Sequence, residues 1–283
     1  MQLLPMKELL LEAKANNSAV AAINVSNMET ITGLLETAQK MESSIILQIS
    51  PMQIQAQKIT YAQIVEMIKL FGRDYDIKAS IHVDHAVDVE DCYKAIDSGF
   101  TSVMYDGSMV DFDTNIENTL KVVNYAKGKN VTVEAELGKV GGAEASDSTE
   151  EGYMTDPGKV EIFVNRTGVD CLAVAIGNAH GQYKSKPKLD FNRLSAIYEK
   201  ASIPLVLHGG TGIPDVDIKK AISKGIRKVN IFTEVDRAFV KGFVDAYTGN
   251  KNIYMMHAQE QAREYMMREI EKKLRICKNV EEE

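Results

Sequence analysis

The amino-acid sequence predicts an α/β fold, a single (β/α)8 barrel of parallel strands with an N-terminal helix and a C-terminal helical extension. Eight short runs of apolar and β-branched residues recur along the 283-residue chain. Each gap between runs leaves room for a helix, as parallel strands require. The runs are apolar at nearly every position, which is typical of strands covered on both faces. Doubly wound sheets usually have fewer strands, so eight favour a closed barrel.

The predicted strands lie, in chain order, at residues 19–25, 44–50, 78–83, 101–106, 131–137, 171–177, 203–209 and 227–233. Helix signals separate them. Pro157 and Pro214 lie where a first helical turn is expected, and Gly168 and Gly225 lie where a helix end favours a left-handed residue. The N-terminal segment "MKELLLEAKA" predicts an amphipathic helix, because charged residues interrupt its apolar stretch.

No linker or change of composition marks a second domain, so residues 1–283 are expected to form one barrel domain. The longest irregular stretch, about 138–158, is rich in glycine, serine and acidic residues. Loops of this length are often functional lids, and we expect a mobile lid here, although a solvated surface loop is the plainer alternative. A methionine-rich segment at about 255–278 predicts the C-terminal helical extension.

Composition excludes several classes of function. The net charge is −7 and the basic residues do not cluster, which argues against a nucleic-acid surface. The cysteines Cys92, Cys171 and Cys277 form no CxxC pair, which fits a reducing compartment. No apolar run approaches the roughly 20 residues of a membrane span. We therefore expect a cytoplasmic protein that binds neither nucleic acid nor a membrane.

Polar side chains end all eight predicted strands. In chain order they are Asn24, Ser50, Asp84 with His85, Asp106, Glu134 with Glu136, His180, His208, and Asn230 with Thr233. Barrel enzymes build their sites at the carboxyl ends of the strands. If the barrel closes, these groups converge on one mouth.

Three of the five histidines, His85, His180 and His208, belong to this set. Imidazoles from three separate elements are typical of a catalytic zinc site with an open position. Such ligands also accept Co²⁺, Fe²⁺ or Mn²⁺. Strand parity puts His82 on the opposite face of its strand from His85, so we expect His82 to pack or hydrogen-bond behind the site.

The last two predicted strands are followed by "HGGTG" and "NIFT". Barrels commonly bind phosphate after these strands through backbone N–H groups and hydroxyls. The sequence therefore predicts a local phosphate site in an acidic protein.

Six segments together resemble, in order, the motifs of the class II, metal-dependent fructose/tagatose-bisphosphate aldolases. They are "IHVDHA", "SVMYDGS", "VEAELGKVGG", "LAVAIGNAHG", "PLVLHGGTGI" and "KVNIFTE". The resemblance runs from about Met6 to Lys278. It implies reversible cleavage of a ketose 1-phosphate or 1,6-bisphosphate to dihydroxyacetone phosphate (DHAP) and an aldehyde such as glyceraldehyde 3-phosphate. It also implies a homodimer or homotetramer.

The resemblance assigns roles to single residues. Zn²⁺ would be held by His85, His180 and His208, and Na⁺ or K⁺ would assist phosphate binding. Asp84 would be the general base for the aldehyde half, and Glu144 in the lid would exchange the proton at C3. The DHAP phosphate site corresponds to Gly181, Gly209, Gly210, Thr211, Asn230 and Thr233. Asp106, Glu134 and Glu136 match acidic positions near the metal.

The chain departs from this family pattern on the aldehyde side. Phe232 stands where fructose-type enzymes have aspartate and tagatose-type enzymes have alanine, and Asn252 stands where an arginine usually binds the distal phosphate. A bidentate arginine binds phosphate more strongly than an amide does. We expect either an altered acceptor aldehyde or a compensating cation. The candidate cations are Arg237, Lys251 and Arg263.

Three other functions use some of the same residues. A metal-dependent hydrolase could use the three imidazoles but would not need two phosphate-binding loops. An isomerase or epimerase explains the anion site without all three histidines. A non-catalytic aldolase-like subunit would be favoured by loss of Asp84 or a histidine, and all are present. An assay for carbon–carbon cleavage separates these alternatives.

Overall fold

A computed structural model describes residues 1–142, 153–181 and 187–279 of the chain. Within these ranges the strands are β1 (Gln2–Leu3), β2 (Val20–Asn24), β3 (Ile45–Ile49), β4 (Lys78–Ala86), β5 (Ser102–Tyr105), β6 (Thr132–Leu137), β7 (Gly141–Gly142), β8 (Cys171–Val174), β9 (Ala179–His180), β10 (Leu205–Leu207) and β11 (Ile226–Ile231). Eight of them pair in parallel and close on themselves in the order β2, β3, β4, β5, β6, β8, β10, β11. The predicted barrel is confirmed.

The helices of the described ranges are α1 (Met6–Ala15), α2 (Met28–Lys40), α3 (Pro51–Gln57), α4 (Tyr61–Gly72), α5 (Val89–Asp97), α6 (Phe112–Ala126), α7 (Pro157–Thr167), α8 (Phe191–Lys200), α9 (Asp215–Ser223), α10 (Thr233–Gly249) and α11 (Met255–Lys278). Pro157 begins α7 as predicted, while Pro214 is the N-cap of α9, one residue earlier than predicted. Gly168 ends α7 with a left-handed φ of 67°. None of these helices combines the length and apolar composition of a membrane span.

Helix α1 closes the amino end of the barrel. Met6, Leu9 and Leu10 are fully or almost fully buried and cluster with inward-facing strand residues such as Val20 and Ile46. Burial of such side chains stabilises the fold by about 1.5–3 kcal/mol each. With one end plugged, the opening of the barrel lies at the carboxyl ends of the strands.

The C-terminal extension packs along the outside of the barrel. Helix α11 lies against α10, where Gly242 allows a close approach because an added Cβ would lie 2.7 Å from the Ala262 Cα. It also packs on α2. The predicted helix at about 255–278 is therefore present.

Two short strands lie beyond the barrel strands, at the mouth. Strand β7 follows β6 and pairs in parallel with β9, which carries His180. The predicted lid begins here, but residues 143–152, with Glu144, lie outside the described ranges. The lid and the single-domain assignment remain predictions.

Candidate active site

The three predicted histidines meet at the mouth of the barrel. The ring centroids of His85 and His180 are 4.7 Å apart, and those of His85 and His208 are 4.6 Å apart. One nitrogen atom from each ring lies within 4.8 Å of the other two. The closed barrel thus brings β4, β9 and the end of β10 to one point, as the strand order predicts.

His85 reaches this point through an irregular backbone. Its φ is +53°, in the left-handed region, and the register between β4 and β5 shifts between Val83 and Ala86. His82 also lies inside the barrel, fully buried, with its Nε2 3.8 Å from Glu134 Oε2. The prediction that His82 and His85 face opposite sides of the strand is therefore wrong, because strand parity holds only for a regular strand.

Hydrogen bonds on the outer side of each ring determine which nitrogen carries a proton. His85 Nδ1 lies 2.8 Å from Asp106 Oδ2, and His208 Nε2 lies 2.8 Å from Glu134 Oε1. A carboxylate only accepts, so these nitrogens donate. The remaining lone pairs, on His85 Nε2 and His208 Nδ1, then face each other across 2.8 Å.

Two facing lone pairs at that separation repel unless a cation or a proton lies between them. The third ring supports a cation, since His180 Nε2 is buried and has no hydrogen-bond partner within the described part of the chain. Three convergent imidazole nitrogens are a donor set that suits a divalent transition metal. The residues therefore fit a metal ion.

The charged groups around the three rings also favour a cation at this point. Burial lowers the pKa of His85, but the nearby carboxylates of Asp84 and Asp106 raise it more, to about 10. Burial, and then the negative charge of Asp106, raise the pKa of Glu136 to about 8. By contrast, burial and then the neighbouring His85 lower the pKa of His180 to about 4. The carboxylates therefore favour a positive charge between His85 and His208, which is a proton on His85 Nε2 in the metal-free protein and which a bound metal ion would replace.

Asp84 lies beside the histidines and is held by two amides. Gln48 Nε2 donates to Asp84 Oδ2 at 3.2 Å, and Asn230 Nδ2 donates to Asp84 Oδ1 at 3.0 Å. Because a carboxylate only accepts, both amide orientations are determined by Asp84. Gln48 was missed at the sequence level, where its signal was a single amide inside the apolar run "SIILQIS".

The hydrogen-bond chain continues from Asp84 to the β3–α3 loop. Gln48 Nε2 also donates to Asn24 Oδ1, and Asn24 Nδ2 donates to Gln53 Oε1, each at 2.8 Å. Ser50 caps α3 by accepting from the Gln53 backbone N–H at 3.2 Å. This wall of the mouth is polar and uncharged, and Ser50 already has a structural role there.

A cavity of about 570 Å³ opens above these residues. Its lining includes twelve of the predicted site residues, namely Asn24, Ser50, Asp84, His85, Asp106, His180, Gly181, Gly209, Thr211, Asn230, Phe232 and Thr233. Gly210 is different, since its N–H donates to Asn230 O at 2.9 Å, which leaves its amide engaged within the protein. His82, Glu134, Glu136 and His208 lie beneath the lining.

The glycines of this cavity permit tight backbone turns. Gly209 has a φ of +62°, and an added Cβ would lie 2.0 Å from Ala179 O. Gly181 has a φ of +84°. Any side chain at Gly209 would collide with the strand that carries His180, so the chain can turn here only with glycine.

The aldehyde side lacks the predicted cations. Phe232 lines the cavity and is 41% exposed. Arg263 pairs with Glu36, and none of Arg237, Lys251 and Arg263 lines the cavity in the described structure. Lys139, which the sequence analysis did not select as a site residue, does line the cavity.

Comparisons with known proteins agree with this geometry. The sequence profile of the family described as fructose-bisphosphate aldolase class-II matches residues 4–282. The fructose-bisphosphate aldolases of Staphylococcus aureus (strain Mu50) and Geobacillus stearothermophilus are each 43% identical over 257 residues, 90% of this chain and 89% of theirs. Among solved structures, the YdjI aldolase from Escherichia coli K12 superimposes with a TM-score of 0.86 at 32% identity, covering 98% of this chain and 97% of that one.

Proposed function

Because this chain belongs to the class II fructose-bisphosphate aldolase family, we propose that it cleaves a ketose 1-phosphate or 1,6-bisphosphate of the fructose or tagatose type. The products are DHAP and an aldehyde such as glyceraldehyde 3-phosphate. The observation that carries the proposal is the position of Asp84 beside three convergent histidines in a cavity with a glycine-rich wall. The reverse reaction is an aldol addition at the same groups.

We propose that the metal is Zn²⁺, held by His85, His180 and His208, with Co²⁺, Fe²⁺ or Mn²⁺ as alternatives. Class II aldolases depend on a metal, and the carboxylates beside His85, with His85 Nε2 and His208 Nδ1 only 2.8 Å apart, support a cation at this position. When bound, it would supply a Lewis acid that stabilises negative charge on the donor half. Asp106 and Glu134 would orient two of the rings by accepting their outer N–H groups.

The chain's own residues account for the proton transfers. In cleavage, Asp84 takes the proton of the C4 hydroxyl and the C3–C4 bond breaks. The electron pair of that bond stays on C3, and C4 becomes the aldehyde carbon. Gln48 and Asn230 keep both oxygens of Asp84 in place by donating to them. A second group must protonate C3, and we assign this to Glu144, which lies outside the described residues.

The DHAP phosphate is assigned to the loops after β10 and β11. Gly181, Gly209, Thr211 and Thr233 line the cavity on this side, and Na⁺ or K⁺ would assist. Gly210 would act indirectly, by holding the loop against Asn230. Asn24 and Ser50 lie at the ends of β2 and β3, next to β11 in the barrel, and we assign them to the aldehyde half.

A second candidate, a DHAP-dependent aldolase with a non-standard acceptor, is favoured by the same residues. Phe232, Asn24, Gln48, Ser50 and Gln53 carry no positive charge, and Lys139 is the one lysine or arginine in the described lining of the cavity. Phosphate groups are usually bound by arginine, lysine or convergent N–H donors. An acceptor with a less anionic end suits such a wall.

Two properties of the whole protein remain proposals. We propose a homodimer or homotetramer, because α10 exposes Val240, Val244 and Tyr247, and Tyr254, the N-cap of α11, is also exposed. We propose a cytoplasmic location, since the three cysteines are buried and unpaired, as suits a reducing compartment.

A substrate panel tests the proposed function and separates the two candidates. Purified protein is assayed for DHAP release from fructose and tagatose 1,6-bisphosphates and the matching 1-phosphates. Release of DHAP from at least one of them is expected, and no cleavage of any would contradict the proposal. A preference of 10³-fold or more in kcat/KM for a bisphosphate, about 4 kcal/mol, would exclude the altered acceptor.

A further inference from the structure

A buried cation lies directly beneath the histidine cluster. Lys228, on β11, has no exposed surface, and neither do Glu134 on β6 and His82 on β4. We call these three residues the buried polar layer. Buried charges are costly unless paired, and apolar residues would fill the barrel interior more cheaply. Stability alone therefore does not explain why these three polar residues occupy the barrel interior.

The layer is joined to a proposed metal ligand by short hydrogen bonds. Lys228 Nζ donates to Glu134 Oε2 at 2.8 Å, and the other oxygen, Glu134 Oε1, accepts from His208 Nε2 at 2.8 Å. The two oxygens of Glu134 are thus divided between the ammonium group and the imidazole. Lys228 determines where the carboxylate lies, and the carboxylate determines where the imidazole points.

Lys228 also determines the tautomer of His82. Its Nζ lies 3.3 Å from His82 Nε2, and an ammonium group has no lone pair, so Nε2 must accept. His82 Nδ1 then carries the proton and donates to Ser102 Oγ at 2.8 Å. His82 is therefore a neutral neighbour that holds the ammonium on its second side.

We infer that Lys228 is a positioning residue for the metal site, which acts through Glu134 to keep His208 Nδ1 directed at the ion. The inference rests on the proposed function, since His208 is taken to be a ligand. It adds a residue that neither touches the ion nor lines the cavity. The rival explanation is an ion pair that only stabilises the barrel.

Metal affinity separates the two explanations. We would compare wild type with Lys228→Met, measuring Zn²⁺ binding against a chromophoric chelator and the visible spectrum of bound Co²⁺, both without substrate. Loss of a group that orients a ligand typically weakens metal binding 10- to 100-fold. That loss and an altered Co²⁺ spectrum are expected. Unchanged affinity and spectrum would overturn the inference.

Arg227 provides the matched control. It is the preceding residue of β11, it is 5% exposed, and its guanidinium donates to Ile222 O at 2.7 Å and to Ser18 O at 3.4 Å, away from the histidines. Arg227→Met removes a buried cation and should destabilise the barrel without changing metal affinity. An equal loss of affinity in both variants would support the purely structural explanation.

A double-mutant cycle tests the route through Glu134. Glu134→Gln alone should weaken metal binding, and adding Lys228→Met to it should change affinity less than about twofold, because the connection is already lost. Independent, multiplying losses would show that Lys228 does not act through Glu134.

The unmodified enzyme gives a test that needs no variant. In protein labelled with ¹⁵N-histidine and loaded with Zn²⁺, NMR should find the proton of His208 on Nε2 and that of His82 on Nδ1. The opposite tautomer at either residue would overturn the inference. None of these measurements uses substrate. A protein with the expected metal coupling but no DHAP release would contradict only the proposed function.

Discussion

At the residue scale, the chemistry depends on how hydrogen bonds hold each reactive side chain. Asp84 receives one amide N–H on each oxygen, and His85 and His208 each donate their outer N–H to a carboxylate. These bonds leave the reactive atoms directed into the mouth. Preorganised groups of this kind lower the cost of reaching the transition state.

Removing the two proposed proton-transfer groups should have different effects. Asp84→Ala should lower carbon–carbon cleavage about 10²- to 10⁴-fold, the usual scale of general acid–base catalysis, while DHAP still exchanges its C3 proton with solvent. Glu144→Ala should suppress that exchange instead. Cleavage rates and deuterium incorporation by NMR measure the two effects. Normal exchange in Glu144→Ala would rule out the role given to Glu144.

Which residues meet at the mouth was more predictable from the sequence than the directions of their side chains. The convergence of His85, His180 and His208 followed from strand order alone. The direction of His82 did not, because the left-handed φ of His85 and the register shift between β4 and β5 leave no mark on the pattern of apolar residues. Gln48 and Lys228 were missed for a similar reason, since isolated polar residues inside apolar strands gain partners only when other strands close around them.

At the element scale, the loops after β8 and β10 determine the shape of the mouth. The turn at Gly209 brings the loop after β10 within van der Waals distance of the backbone of β9, which carries His180. Two proposed metal ligands are therefore held by one backbone contact. This contact depends on the absence of a side chain at one position.

Gly209→Ala should destabilise the protein more than a glycine change that adds only backbone strain. Gly128 also has a positive φ, +78°, but has no atom within 4 Å of an added Cβ, so Gly128→Ala is the control. The control should cost about 1–2 kcal/mol. Gly209→Ala should cost about 1–3 kcal/mol more, because of the added clash. Urea unfolding measures both, and equal costs would show that the β9 contact does not matter.

At the scale of the whole molecule, the side chains that close the barrel lie at one end and the residues of the proposed active site lie at the other. Helix α1 fills the amino end with apolar side chains, while the ends of the barrel strands and the loops after them place polar groups at the opposite end. The barrel and its parallel order were predictable because fully apolar strands and helix-length gaps recur along the entire chain. The aldehyde side was not, since Phe232 and Asn252 indicate a departure from the family pattern without indicating which acceptor replaces the usual one.

Metal dependence of cleavage is measured most directly by DHAP release from metal-stripped protein to which Zn²⁺ is returned stepwise. We predict that chelation abolishes cleavage, that activity returns in proportion to bound Zn²⁺ up to about one ion per site with three imidazole ligands, and that borohydride traps no substrate adduct. Full cleavage by the metal-free protein, or a borohydride-trapped adduct on a lysine, would contradict a metal-dependent mechanism.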